Sequence, residues 1–465
     1  MKANSVEVFK DAPVPKAVFL NAIPSIVSMI MVLIYNLADA FFIGRTGDGD
    51  MFTAVSLVTP AFLIFMAIGM LFGIGGTSLV SRKLGEGDEA IAKKVSSFCF
   101  WTGAVLGVIF MVLILVFIEP ICRLIGASDQ TLPYTKSYFS IVSIALPFLI
   151  VSNAFSNIIR AEGKANVAMI GMIIGNMLNV VLDPIMISVL DWGIAGAAVA
   201  TVVGNVAATL FYFFHIISKN SIFSISLKDY AFRNGILSNV LKIGLPASLN
   251  NILMSLSNIV VNNFMQGFCD DAVGGLGVAF KVNTITVMLL IGLGTGIQPL
   301  LGYCYGARNV KRFESVIKFS VVVAFIMSIV MSLISFLLSG PLVRAFIEVE
   351  SQVGYGTAFV KILVISGPIL GLLFVMINAL QAMGAAIPSL ILSASRQGII
   401  YLPLLLLINA LTESENMLVL TQPITDYLAV ILAVVLFIIT FKKFKKRVDG
   451  ENLTKVESPK DATDA

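Results

Sequence analysis

The chain has 465 residues, of which 58% are apolar and only 12% are charged, and its mean hydropathy is +0.96. Soluble domains carry about 25% charged residues, so this composition excludes a soluble globular protein. The small net charge of +4 gives no support for nucleic-acid binding. The chain is therefore predicted to be a polytopic protein of the lipid bilayer.

Long apolar runs follow one another along the whole chain. Crossing a bilayer takes about 20 apolar residues in a helix. We predict twelve spans, at 17–43, 53–80, 95–118, 134–157, 166–190, 193–217, 240–266, 275–303, 315–338, 357–380, 387–410 and 424–441. A backbone in lipid must satisfy its own hydrogen bonds, so the predicted fold is an all-α integral membrane protein with twelve transmembrane helices.

An internal repeat divides these helices into two six-helix bundles. The segment NIIRAEGKANVAMI at 157–170 aligns with NALQAMGAAIPSLI at 378–391, and Pro24 of the first helix aligns with Pro246 of the seventh. Because six is an even number of crossings, both halves enter the membrane from the same side. The two bundles are therefore predicted to form a parallel internal repeat, an architecture of alternating-access transporters.

Basic residues predict the orientation of the chain. Most of the 31 Lys and Arg fall in the segments that share a side with the N-terminus, including the cluster at 442–447. Such a bias marks the cytoplasmic side, so both termini are predicted to be cytoplasmic in a multi-pass protein of the cell membrane. The predicted domains are a cytoplasmic segment 1–16, an N-lobe 17–218, a cytoplasmic linker 219–239, a C-lobe 240–441, and a basic then polar cytoplasmic tail 442–465.

Asp39 and Asp183 each lie alone inside a long apolar run. A carboxylate in a lipid-spanning helix is costly and usually marks a functional site, here predicted to be ion-coupled transport. Asn179 and Asp183 share a helix face, and a rise of about 1.5 Å per residue brings Asp39, Asp183 and Thr201 to a similar depth. Carboxylate, amide and hydroxyl oxygens suit Na⁺, whereas two close carboxylates also suit H⁺, so the coupling ion stays open.

The second half of the chain is predicted to lack membrane carboxylates and to carry Lys281 and Arg396 within its helices instead. Cation binding is therefore assigned to the N-lobe. The sequence offers no nucleophile–base pair, phosphate-binding loop or cluster of metal ligands, which argues against an enzyme, and no cofactor is predicted beyond the coupling ion. The single histidine, His215, is predicted to be structural.

Several segments resemble the multidrug and toxic-compound extrusion (MATE) family, especially its DinF- and MepA-like branch. They are YNLADAFFIG at 35–44, GIGGTSLVSRKLGEGD at 73–88, IIRAEG at 158–163, LNVVLDPIMI at 178–187 and GLPASLN at 244–250. The resemblance implies efflux of amphipathic, mostly cationic compounds in exchange for H⁺ or Na⁺. It also implies that the cation site of the family falls on Asp39, Asn179, Asp183 and Thr201.

A cavity that binds planar, apolar cations would use aromatic faces, methionines and amides. The candidates are Tyr35, Asn36, Tyr138, Phe155, Lys281, Met288 and Gln298. Lys281 could face the cavity or extend to the outer surface. The predicted partners are small amphipathic molecules and the bilayer, and the expected functional unit is a monomer.

The sequence favours two other functions less than drug efflux. A flippase for a lipid-linked sugar or cell-wall precursor would need several Arg and Lys around a pyrophosphate, and only Lys281 and Arg396 qualify. A channel or receptor has no evident use for a two-lobe repeat with carboxylates in one lobe.

Overall fold

The computed structural model describes residues 6–44, 49–218, 220–232, 235–412 and 414–457. Parts of the predicted terminal segments and of the linker lie outside these residues. The described chain is built from helices joined by short turns. They are α1 Glu7–Lys10, α2 Val14–Gly44, α3 Gly49–Gly85, α4 Glu89–Val116, α5 Ile118–Leu124, α6 Leu132–Ile144, α7 Leu146–Ala161, α8 Ala165–Pro184, α9 Gly193–Ile217, α10 Ile236–Gln266, α11 Asp270–Gly306, α12 Val310–Leu337, α13 Ser339–Arg344, α14 Glu350–Leu363, α15 Gly367–Ala382, α16 Ala386–Ala394, α17 Tyr401–Leu411 and α18 Glu415–Glu457.

The predicted all-α membrane fold is confirmed. Within the described residues, eleven spans are long and apolar enough to cross a bilayer, and the bent pair α6–α7 supplies a twelfth. With the predicted lobe boundaries, α2 to α9 fall in the N-lobe and α10 to α18 fall in the C-lobe. The last helix begins at Glu415, nine residues before the predicted start at 424, and continues through the basic cluster at 442–447.

Three of the spans are interrupted by recognisable backbone features. The axes of α6 and α7 differ by 52°, and Pro147 stands in the first turn of α7, where a proline is tolerated but ends the preceding hydrogen-bond ladder. The helix α8 runs through Pro184 into a π-helical turn, Ile185–Val189. A second π-helical turn, Ser395–Ile399, separates α16 from α17. Such turns often accompany functional sites.

The buried apolar residues form separate cores at one end of the molecule and shared cores at the other. At the end far from the N-terminus, one core contains only N-lobe residues such as Val58 and Phe139, and another contains only C-lobe residues such as Val261 and Phe359. At the N-terminal end, Val18 of α2 belongs to the same core as Ile297 of α11. The lobes are therefore joined near the N-terminus and separate towards the opposite end.

Glycines allow the two backbones to meet at the joined end. A Cβ atom on Gly85 of α3 would lie 2.2 Å from the Tyr303 carbonyl oxygen, and one on Gly306 of α11 would lie 2.0 Å from that of Arg82. The Ser78 hydroxyl also donates a 2.5 Å hydrogen bond across the lobes to the Gln381 carbonyl. Side chains larger than hydrogen at these two glycines would force the lobes apart.

The joined end is predicted to face the cytoplasm. Single cysteines replacing the exposed residues Glu86 and Lys311, in a background without the four native cysteines, should react with an impermeant maleimide only from the cytoplasmic side. Residues 86 and 311 belong to different lobes, so equal sidedness follows from a parallel repeat. Labelling of either position from outside would contradict both the orientation and the repeat.

Candidate functional site

Three N-lobe helices bring the predicted ion-site residues together. The helix α2 packs against α8, and α8 packs against α9. Asp183 is fully buried, Asn179 and Thr201 are nearly so, and Asp39 is partly buried. Asp39 and Asp183 lie close enough to interact electrostatically. The four residues that the sequence grouped therefore occupy one pocket between α2, α8 and α9.

Asn179 is oriented by its amide nitrogen. Its Nδ2 donates to the Thr201 hydroxyl over 3.2 Å, and that hydroxyl donates to the Ala197 carbonyl over 3.1 Å. Both hydroxyl and amide donors are thereby engaged, and the Asn179 Oδ1 points elsewhere without a partner. The hydrogen bonds of Asn179 and Thr201 thus leave an amide oxygen available to a ligand.

The acidic oxygens of the pocket are also without partners. Among the described residues, no protein group donates a hydrogen bond to the buried Asp39 Oδ1 or to either carboxylate oxygen of Asp183. Buried polar atoms are nearly always hydrogen-bonded, because a missing bond costs about 1–3 kcal/mol. Protons or a hard cation would satisfy these oxygens, so the residues present fit the binding of H⁺ or Na⁺.

Two tyrosines border the acidic pocket. The Tyr35 hydroxyl lies within hydrogen-bonding reach of Thr201 and close to the carboxylates of Asp39 and Asp183. The hydroxyl of Tyr138 in α6, a residue only 8% exposed, lies close to the same two carboxylates. Both tyrosines were predicted to line the substrate cavity. Tyrosine side chains and carboxylates therefore lie next to one another, a combination that suits an amphipathic organic cation.

The other predicted cavity residues are dispersed. Asn36 is exposed and Met288 is partly buried. Phe155 has no exposed surface and packs against Phe100 in the N-lobe core, with ring centroids 5.8 Å apart. Gln298 is 1% exposed. In this conformation Phe155 and Gln298 have almost no surface available to a substrate, and their contribution to binding stays a prediction.

Lys281 is exposed on α11, and its Nζ lies 5.9 Å from the centre of the Phe346 ring. Phe346 follows α13 on the side of the molecule where the lobes separate. The side chain thus extends along the C-lobe towards that end and makes a cation–π contact there. This contact accounts for an exposed lysine in an apolar helix. The effect of Lys281 on substrate choice stays a prediction.

The expectation that only the N-lobe has membrane carboxylates is wrong. Asp426 of α18 is 2% exposed, and its Oδ1 lies 2.9 Å from Arg396 Nε. The predicted span began at 424, which would leave Asp426 at the membrane surface. Because α18 begins at Glu415, Asp426 lies about 16 Å along the helix. An acidic residue eleven positions into an apolar helix could have been recognised from the sequence if the start of the helix had been predicted correctly.

His215 takes part in a structural cluster at the N-terminal end of the N-lobe. The buried Glu162 carboxylate lies 3.3 Å from His215 Nε2 and 3.2 Å from Lys164 Nζ, and it accepts a 2.5 Å hydrogen bond from the Ile222 N–H. Ile222 belongs to the linker between the lobes. The cluster therefore attaches the start of the linker to the N-lobe, consistent with a structural role for this histidine.

Comparisons with known proteins agree with this architecture. A family model described as MatE matches residues 24–185 and again 246–407, at the spacing of the internal repeat. The multidrug export protein MepA of Staphylococcus saprophyticus is 32% identical over 411 residues, covering 88% of this chain and 91% of that protein. MepA of Staphylococcus aureus strain MRSA252 has the same identity and coverage.

Solved structures share the fold. The outward-facing conformation of a multidrug resistance MATE family transporter superposes with a TM-score of 0.90 at 24% identity, covering 96% of this chain and 100% of that one. A MOP superfamily transporter from Pyrococcus furiosus, reported with a binding pocket of reversed polarity, has a TM-score of 0.84 at 25% identity, covering 97% and 99%. From the two family matches and the MepA relatives we conclude that this chain belongs to the MATE family of multi-pass membrane transporters.

Proposed function

We propose that this chain is a secondary active exporter of amphipathic, mostly cationic compounds that exchanges them for H⁺ or Na⁺ by alternating access. One observation carries the proposal: the buried oxygens of Asp39, Asn179 and Asp183 lack protein partners in a pocket bordered by Tyr35 and Tyr138. The MepA relatives are multidrug export proteins by name, which supports the same function.

The arrangement suggests how ion and drug are exchanged. An organic cation bound against the aromatic rings and a small cation bound between the carboxylates would each neutralise the same negative charge. Because close like charges resist joint binding, occupancy by one disfavours the other. Exchange then requires that ion binding and drug binding favour different arrangements of the two lobes.

The distribution of cores supports an alternating-access cycle. The lobes share cores at the N-terminal end and have separate cores at the other end. With the predicted orientation, this conformation is closed to the cytoplasm and opens outwards. Loading a drug from the inside would require the close contacts of Gly85 and Gly306 to separate. In this proposal the protein is a functional monomer of the cell membrane with cytoplasmic termini, and it is a transporter and not an enzyme.

The flippase alternative is less consistent with the C-lobe. Recognition of a pyrophosphate would need several uncompensated cations in the cavity. Arg396 is paired with Asp426, and Lys281 extends towards Phe346. Neither side chain is part of a cluster of free positive charges.

The test is transport by the purified protein in lipid vesicles. We expect a fluorescent organic cation to move against its concentration gradient when an opposing H⁺ or Na⁺ gradient is imposed. The two gradients should be imposed separately, since the response to each identifies the coupling ion. Dye transport that is independent of both gradients would contradict the exchange mechanism. Absence of any dye transport would contradict the export function.

A further inference from the structure

An open groove lies between α4 and the linker that joins the lobes, away from the N-lobe pocket. It has a volume of about 280 Å³, and its six lining residues are uncharged: Trp101, Thr102, Val105, Leu106, Leu227 and Tyr230. Val105 and Leu227 are 53% and 66% exposed, so this linker groove opens to the surroundings of the protein. Pockets for drug-sized molecules are larger, about 300–1,000 Å³, and more enclosed.

Hydrogen bonds hold the linker wall of the groove against α4. The Ser97 hydroxyl donates to the Ser226 carbonyl over 2.8 Å, and Trp101 Nε1 donates to the Ile225 carbonyl over 2.8 Å. Both bonds join residues more than 120 positions apart in the chain. The linker groove is therefore built by specific contacts between α4 and the linker.

The linker groove lies at the depth of the membrane interface. The predicted span of α4 begins at position 95, and a rise of about 1.5 Å per residue places Trp101 about 9 Å inside it. Trp and Tyr, which both line the groove, are enriched at this level of a bilayer. Deeper along α4, Val108 and Ile109 are 45% and 46% exposed. The groove thus continues into the surface that faces the lipid chains.

Two lysines flank the cytoplasmic end of the linker groove. Lys94 precedes Trp101 by seven residues, so it shares a face of α4 with Trp101 and lies about 10 Å nearer the predicted cytoplasm. Lys228 directly follows the lining residue Leu227 and is exposed. Neither lysine makes an ion pair with a described residue, and neither does the neighbouring Asp229. With two lysines and one aspartate, this end carries a net positive charge.

We propose that the linker groove binds an anionic phospholipid of the cytoplasmic leaflet. An acyl chain lies against Trp101 and Leu227 and continues along α4, and the phosphate lies near Lys94 and Lys228. Each basic residue close to the surface of an anionic membrane favours binding by about fivefold. The site is separate from the proposed transport path, so its test needs no transport measurement.

The experiment uses the two tryptophans of the chain as reporters. Trp192 precedes α9 at the end where the lobes separate and is 51% exposed. The Trp192→Phe protein, in phosphatidylcholine vesicles, leaves Trp101 as the reporter of the groove. Bromine quenches tryptophan only at close contact, so equal fractions of brominated phosphatidylglycerol and brominated phosphatidylcholine are compared. We expect phosphatidylglycerol to be enriched about fivefold or more beside Trp101.

Three variants separate a lipid site from general surface charge. In the Trp101→Phe protein, Trp192 should report the two brominated lipids equally, within about twofold. In the Trp192→Phe background, Lys94→Gln with Lys228→Gln should remove the preference at Trp101. Lys442→Gln with Lys443→Gln, exposed positions of α18, should leave it unchanged.

Four outcomes would overturn the proposal. They are equal quenching of Trp101 by the two lipids, an equal preference at Trp192, a preference at Trp101 that survives the loss of both groove lysines, and its loss in the α18 variant. The last two would assign any enrichment of phosphatidylglycerol to the overall charge of the cytoplasmic surface.

Discussion

Replacing Asp183 by Asn is expected to abolish gradient-driven efflux while drug binding stays measurable. Asp183 is fully buried and both of its oxygens lack protein partners, so an ion is the group that they can bind. Removing one negative charge from a desolvated cation site should cost several kcal/mol of ion affinity, about 3–5 kcal/mol for a broken buried pair. Without ion binding, nothing drives the return of the lobes.

Efflux and drug binding should be measured on the same preparation, with expression confirmed. Asp39→Asn is expected to impair efflux as well, but less, because Asp39 is only partly buried. Asp191→Asn is the matched control: Asp191 is exposed beyond the end of α8 and has a φ of 54°, which Asn tolerates. Normal efflux by the Asp183→Asn protein would refute the coupling role, and loss of drug binding as well would indicate that drug and ion share Asp183.

Replacing Gly306 by Ala is expected to open the joined end of the lobes. The added Cβ atom would lie 2.0 Å from the backbone oxygen of Arg82 in the other lobe. Backbone cannot move aside as a flexible side chain can, so the closed arrangement should lose about 1–3 kcal/mol. That loss would shift the balance between lobe arrangements by about 5- to 150-fold and slow efflux correspondingly.

The measurement is the distance between spin labels at Glu86 and Lys311, exposed residues of different lobes at the joined end. The distance should lengthen in the Gly306→Ala protein. Gly277 of the same helix has open space at its Cβ position, so Gly277→Ala should leave both distance and efflux unchanged. An unaltered distance in the Gly306→Ala protein would show that the closed arrangement accommodates the added Cβ atom and would contradict the prediction.

The sequence alone was enough to identify residues whose chemistry differs sharply from that of their neighbours in the chain. Asp39 and Asp183 stand out because each is an isolated charge in an apolar run, and helical spacing is enough to place Asn179 beside Asp183. The twelve spans and the repeat are also local or regular signals. The structure brings these residues into one pocket, since depth along neighbouring helices follows from a constant rise per residue.

The features that sequence could not supply depend on helix boundaries and on long-range packing. Asp426 was overlooked because the predicted start of the last span was nine residues too late. A start at 424 leaves Asp426 at the membrane surface, whereas a start at Glu415 places it inside the membrane. The partner of Arg396 lies on another helix, thirty positions away. Closure of the lobes at Gly85 and Gly306 involves contacts more than 200 residues apart, which no local pattern encodes.

The exchange of drug for ion through the N-lobe carboxylates is tested most directly by driving the ion with the drug. Vesicles that contain the protein are given a drug gradient and no ion gradient, and the internal pH and the uptake of labelled Na⁺ are followed. For the wild-type protein we predict movement of one of the two ions opposite to the drug, and no such movement for the Asp183→Asn protein. Ion movement that survives the loss of Asp183, or drug movement by the wild-type protein without either ion, would contradict the account.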